Sequence, residues 1–141
     1  MKPLKVKLDP GAICPKRAHQ TDAGLDLFMP LDTNVIVPAH GRAFVDTGVH
    51  IEIPYGFFGL LTSKSGLMRD RGIKCTGTID AGYTGSIGAV LFNNSDEDVE
   101  FRAGDKLTQL LILPCFAPSL NVVEELKETE RGSGGFGSTG R

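Results

Sequence analysis

Apolar and polar positions alternate with period two over most of this chain. From Val45 to Ile53 the apolar residues Val45, Val49, Ile51 and Ile53 interleave with Asp46, Gly48, His50 and Glu52, the pattern of one half-buried strand. Ser86–Phe92 and Leu107–Leu113 are apolar at both parities, which predicts strands buried on both faces. Weaker strand signals fall at Leu4–Leu8, Leu25–Phe28, Asn34–Val37, Phe57–Thr62 and Leu120–Val123. One short helical turn or two is expected from Ser65 to about Arg71. All eight prolines can sit at strand ends or in connections, where a missing N–H does little harm. Many short strands with Gly/Pro punctuation and no internal repeat predict an all-β fold, a jelly-roll barrel or sandwich with one short helix.

Length and charge narrow this. At 141 residues the chain is most simply one domain with a proper core. A formal charge of −2 argues against nucleic acid as a partner, because polyanion binding asks for a basic excess. No run approaches a membrane span and the N-terminus has no apolar h-region, so a cytoplasmic protein is expected. Cys14, Cys75 and Cys115 are widely spaced and read as reduced thiols. His19, His40 and His50 do not fall at metal-ligand spacings, so no direct protein metal site is expected.

Five segments look chemical. In Ala23-Gly-Leu-Asp26-Leu an Asp interrupts an apolar strand; taken alone, it simply faces solvent. Thr62-Ser-Lys-Ser-Gly66-Leu opens the predicted helix and supports two readings equally. It is a Ser N-cap, or an anion seat in which Lys64, Ser65 and Gly66 meet a phosphate at free N–H groups. Gly77-Thr-Ile-Asp80-Ala-Gly82-Tyr83-Thr-Gly85 permits a tight hairpin carrying a carboxylate and a ring. Gly104-Asp-Lys-Leu-Thr-Gln109 puts an amide at the start of a buried strand.

The fifth segment, Arg131-Gly-Ser-Gly-Gly-Phe-Gly-Ser-Thr-Gly140, is half glycine and has no apolar face. It nevertheless carries a guanidinium, a ring and three hydroxyls. A plain linker rarely places such groups among its glycines. The segment therefore reads as a lid that orders over a nucleoside phosphate, with residues 1–129 as the body and 130–141 as the lid.

These five segments, in order and spacing, resemble the five motifs of the trimeric dUTPases, and the likeness runs from about Ala23 to Gly140. The resemblance implies a jelly roll and a homotrimer whose sites are shared between subunits. It implies hydrolysis of dUTP to dUMP and pyrophosphate by water attack at the α-phosphorus, which supplies dUMP for thymidylate synthesis and keeps uracil out of DNA. It casts Asp80 as the residue that activates the water and Tyr83 as the platform under the deoxyribose. The Cys75–Tyr83 backbone, with Gly77 and Ile79, would read uracil. Lys64, Ser65, Gly66 and Gln109 would meet the phosphates, and Asp26 would support the site through water near the metal. Arg131, Ser138 and Thr139 would hold the γ-phosphate while Phe136 covers the base, and Gly137 between them would also meet the substrate. Mg²⁺ would be held by the phosphates and waters. Two departures stand out: the family's usual Pro-Arg before Ser-Gly is Ser63-Lys64 here, and its acidic residue before the Tyr is Gly82. The dCTP deaminases share the implied fold but do not fit the tail; a nucleotide-gated regulatory module is the reading outside enzymes.

Overall fold

A computed structural model describes residues 3–135. Their strands are β1 (Lys5–Leu8), β2 (Leu25–Phe28), β3 (Val35–Val37), β4 (Arg42–Asp46), β5 (Val49–Glu52), β6 (Phe57–Thr62), β7 (Ile73–Ile79), β8 (Gly88–Asn93), β9 (Val99–Phe101) and β10 (Lys106–Pro114). The helix α1 spans Ser65–Arg71 between β6 and β7. A six-stranded sheet runs in the order β2-β10-β6-β7-β8-β4, with the pairs β1-β5 and β3-β9 beside it. Every one of these pairings is antiparallel. This is the jelly roll expected from the sequence, closed around a core that includes Leu27, Val49, Ile73, Leu91, Phe101 and Leu110.

Several elements differ from the pattern-based expectation. The run Val45–Ile53 is two strands, not one: β4 belongs to the large sheet and β5 pairs with β1. The chain turns at Thr47, whose buried hydroxyl donates to the Ile87 carbonyl at 2.7 Å. The Asp46 carboxylate accepts from the Gly48 N–H at 3.1 Å, an aspartate turn that competes with continuing the strand. On β8, Ala89, Leu91 and Asn93 are buried, Val90 is half-buried and Phe92 is exposed, so only one face is fully covered. The predicted strand Leu120–Val123 is not formed: the segment has no ladder partner among the described residues, and Leu120 and Val122 are 93% and 96% exposed. Conversely, β7 and β9 carry little hydrophobic signal, yet Ile73, Cys75 and Ile79 alternate inward and Val99 and Phe101 flank an exposed Glu100.

Candidate active site

Pairing in the large sheet brings three motif segments into one row. On β10, Gln109 stands opposite Asp26 of β2 and opposite Thr62 of β6. Directly opposed residues share a face, so Asp26 and Gln109 project together. Between Lys106 and Thr108 the β10–β2 register shifts by one residue. A bulge of this kind reverses the side-chain alternation and brings Lys106 to the face that carries Asp26.

Asp26 does not face solvent; it is 5% exposed. One carboxylate oxygen accepts from the Lys64 ammonium and the other from the Lys106 ammonium, the latter at 2.8 Å. Burial pushes its carboxyl upward, but the hydrogen bonds from Lys106 and Lys64 outweigh this and hold it below the usual carboxylate range. Gln109 donates from its amide to the Ser63 carbonyl at 3.3 Å. A Cβ on Gly24 would press on the Gln109 amide and make that side chain shift. Ser63 is tied to β7, accepting from the Cys75 N–H at 3.0 Å and donating to the Cys75 carbonyl at 3.2 Å. Burial raises the Cys75 thiol pKa.

Lys64, Ser65, Gly66, Lys106 and Gln109 line a cleft of about 490 Å³. Lys64 stands in extended conformation before α1, and no side chain caps the helix. Ser65 is therefore the first helical residue and not a cap. The space over Gly66 is open, with no atom within 4 Å of an added Cβ.

Ile79, Asp80 and Tyr83 line a second cleft of about 330 Å³ with Phe44, Thr78, Ser86 and Gly88. The motif is not a tight hairpin: β7 ends at Ile79, β8 starts at Gly88, and residues 80–87 form a loop that opens with a turn. The Tyr83 N–H donates to the Asp80 carbonyl at 3.1 Å, and Gly82 has φ +90°. That is the geometry of a type II turn, which requires φ > 0 at its third residue. The Gly that replaces the acidic residue before the Tyr thus fits the turn itself. Tyr83 is 48% exposed, and its hydroxyl donates to the Ser86 carbonyl at 2.9 Å. Asp80 is exposed.

In the single chain the two clefts are separate. Thr62 pairs with Thr76, and Asp80 lies four residues beyond Thr76 on β7, roughly 13 Å along the strand at the usual rise. Gly77 pairs with Leu61 in mid-strand, between them. Arg131 is exposed, and its Nε donates to the Gly134 carbonyl at 3.0 Å within successive tail turns. Phe136, Gly137, Ser138 and Thr139 lie outside the described residues. Among the described residues no group of His, Cys, Asp and Glu is arranged to hold a metal ion. No helix of the described residues is long and apolar enough to cross a membrane. Sequence reasoning missed Lys106 and Ser63. Both stand inside quoted motifs, but only the bulge and the Cys75 hydrogen bonds reveal their use.

A jelly roll with a cationic cleft, an aspartate–tyrosine cleft and a glycine-rich tail defines a class of nucleotide-handling proteins. The dUTPase family matches residues 11–140, and this chain belongs to it. It is 42% identical to the deoxyuridine 5'-triphosphate nucleotidohydrolase of Solanum lycopersicum over 135 residues, 95% of this chain and 79% of that protein. Its fold matches a dUTPase variant of Staphylococcus bacteriophage 80alpha solved with dUpNHpp, with a TM-score of 0.90, 32% identity and full coverage of both chains. A variant dUTPase from phage phi11 of S. aureus, described with a coordinated structural Mg(II) ion, matches with a TM-score of 0.81 and 33% identity, covering 90% of this chain and all of that one.

Proposed function

We propose that this protein is a homotrimeric, Mg²⁺-dependent dUTP diphosphatase that hydrolyses dUTP to dUMP and pyrophosphate, acts in the cytoplasm, supplies dUMP for thymidylate synthesis and keeps uracil out of DNA. The observation that carries the reading is the division of chemistry between the two clefts of a dUTPase-family chain. One offers Lys64, Lys106, Ser65, Gly66 and Gln109 to phosphates; the other offers Asp80 and Tyr83 to the nucleoside and the water. Neither suffices alone for a nucleotide with a base at one end and a triphosphate at the other. Assembly in a trimer that brings the cleft of one subunit against the other cleft of its neighbour completes the site. The three free cysteines, Cys14, Cys75 and Cys115, support the cytoplasmic location.

The residues then divide the work as follows. Asp80 takes a proton from the attacking water, whose oxygen bonds to the α-phosphorus as the bond to the bridging oxygen of the β-phosphate breaks. Tyr83 packs under the deoxyribose and leaves no room for a 2′-hydroxyl. The β7 backbone at Gly77 and Ile79 reads the uracil edge. Lys64 and Lys106 offset phosphate charge, with Asp26 fixing both ammonium groups. The tail from Arg131 to Thr139 closes over the γ-phosphate, and Phe136 covers the base.

Both Asp26 oxygens are already engaged by ammonium groups, which suits a carboxylate standing behind the phosphates instead of binding a metal directly. Mg²⁺ held by the phosphates and waters would neutralise charge that develops on the leaving pyrophosphate. Pyrophosphate release from dUTP, dTTP, dCTP and UTP, measured side by side with Mg²⁺ and with chelator, tests the reading. Release confined to dUTP and lost with chelator is expected; equal release from dTTP or UTP overturns it.

A further inference from the structure

Outside both clefts, His50 makes an arrangement that the reaction as described does not use. It lies on β5 opposite Lys7 of β1, with its side chain 17% exposed. Its Nδ1 stands 2.7 Å from the Thr84 carbonyl oxygen and its Nε2 stands 2.9 Å from a carboxylate oxygen of Asp9. Both neighbours only accept hydrogen bonds. A neutral imidazole has one N–H and one lone pair, so it satisfies one of them and turns a lone pair on the other. Only the imidazolium donates to both.

Thr84 directly follows Tyr83 in the loop between β7 and β8. The far end of that loop is fixed by Ser86 donating to Asp46, by the Thr47 hydroxyl on the Ile87 carbonyl, and by the Ile87 N–H on the Val49 carbonyl at 2.8 Å. The near end is fixed where β7 stops. His50 grips the carbonyl between these anchors, from the β1–β5 pair.

We propose that His50 is a positioning residue: its imidazolium bridges Asp9 to the Thr84 carbonyl and holds the loop that presents Asp80 and Tyr83, so that loss of its proton slackens the loop and weakens nucleotide binding. The proposal rests on the reading in which Asp80 and Tyr83 meet dUTP. Around the ring, among the described residues, Asp9 and Lys7 face it from the β1 side, with Lys7 paired to Asp9 at 3.4 Å. Glu52 follows on β5 with its partner Lys5, Asp46 stands beyond Gly48, and Asp80 heads the loop. Of these, the Asp9 carboxylate favours the cation and Lys7 opposes it. The hydrogen bond to Asp9, with that to Thr84, raises the His50 pKa above its usual value against the opposing effect of desolvation and Lys7. A raised value places the bridge at full strength in acid and loses it as pH climbs through the folded-state pKa.

The test is the pH dependence of KM and kcat for dUTP, from about pH 6 to 9, across the imidazole range. In the native protein KM should rise about 2- to 10-fold with pH, the ratio carried by one hydrogen bond, while kcat changes less. His50→Gln should remove that limb, leaving KM flat near the native alkaline value. Asp9→Asn, which takes away the charge that holds the proton, should move the limb to lower pH. Imidazole ¹⁵N shifts of the native protein should show both nitrogens protonated and a pKa above about 6.5. A His50→Gln variant with an unchanged KM limb, an Asp9→Asn variant with an unmoved one, or a ring that titrates at or below the ordinary value would overturn the proposal. The NMR measurement is independent of turnover. A bridge that titrates as expected in a protein that leaves dUTP intact would therefore overturn the reaction and not the bridge.

Discussion

Asp26 and Lys106 meet at 2.8 Å although they sit on neighbouring strands in a register that, without the bulge in β10, would send their side chains to opposite faces. Lys64 closes on the other oxygen of the same carboxylate. Two ammonium groups are thereby aimed at one cleft by a single buried anion. Asp26→Asn should leave them with a neutral partner and cost about 2 kcal/mol of stability at neutral pH, the usual worth of hydrogen bonds to a buried charged group. The depressed pKa of Asp26 gives this stabilisation a sign in pH: it is present above the ordinary carboxylate value and lost as pH falls through the folded-state value. Urea unfolding of both proteins between about pH 7 and pH 2 should show an acid limb in the native protein that the variant lacks in part. Coincident curves would deny Asp26 its role as the anchor.

Asp80 is exposed at the end of β7 and carries no packing duty. Asp80→Asn preserves shape and removes the proposed base. Turnover of dUTP should fall by about 10²–10⁴-fold, with nucleotide binding and melting temperature close to native. Calorimetric titration with a non-hydrolysable dUTP analogue separates the two effects, and near-native kcat in the variant would remove Asp80 from the reaction.

Sugar discrimination is predicted to rest on Tyr83, which the type II turn at Gly82 and the hydrogen bond to Ser86 hold in place. UTP should be a far poorer substrate than dUTP, and Tyr83→Ala should narrow the gap in kcat/KM. Gly82→Ala should do so partly, because an L side chain resists φ +90° and the turn must shift. A dUTP/UTP ratio that neither substitution alters would place selection elsewhere.

What the sequence made legible follows from what its period can encode. Leu25–Phe28, Phe57–Thr62 and the helix Ser65–Arg71 fall where the sequence reading put them, and Gly72, left-handed at φ 66°, ends the helix. The break at Thr47 was invisible, since Val45, Val49, Ile51 and Ile53 keep period two across it while the chain changes partner. Burial of Asp26 was hidden for a similar reason: a carboxylate in a strand reads as solvent-facing until two lysines from distant segments arrive. Lys106 reaches it only through a bulge, which adds one residue and leaves no compositional mark. Leu120–Val123 looked like a strand because its residues are apolar, but a strand also needs a ladder partner, and none of the described segments pairs with it.

The tail and the division between clefts lead to a linked pair of experiments. Deleting the residues after Arg131 should leave the melting temperature nearly intact, because the described core draws on β2 to β10 and ends with the last strand. Turnover should drop sharply, since the proposed γ-phosphate clamp and cover over the base go together. The truncated chain and the Asp80→Asn chain would then each be nearly inactive for different reasons. If each site takes Asp80 from one subunit and its tail from another, unfolding the two proteins together and refolding them as mixed trimers restores complete sites. Random assortment gives an intact Asp80 to half the positions and an intact tail to half, so about one quarter of the native activity should return. A site built from one chain has no such rescue, because every chain in the mixture is defective. Mixed trimers that stay as inactive as their parents would show that Asp80 and the tail must come from the same chain, and the shared-site arrangement would fall.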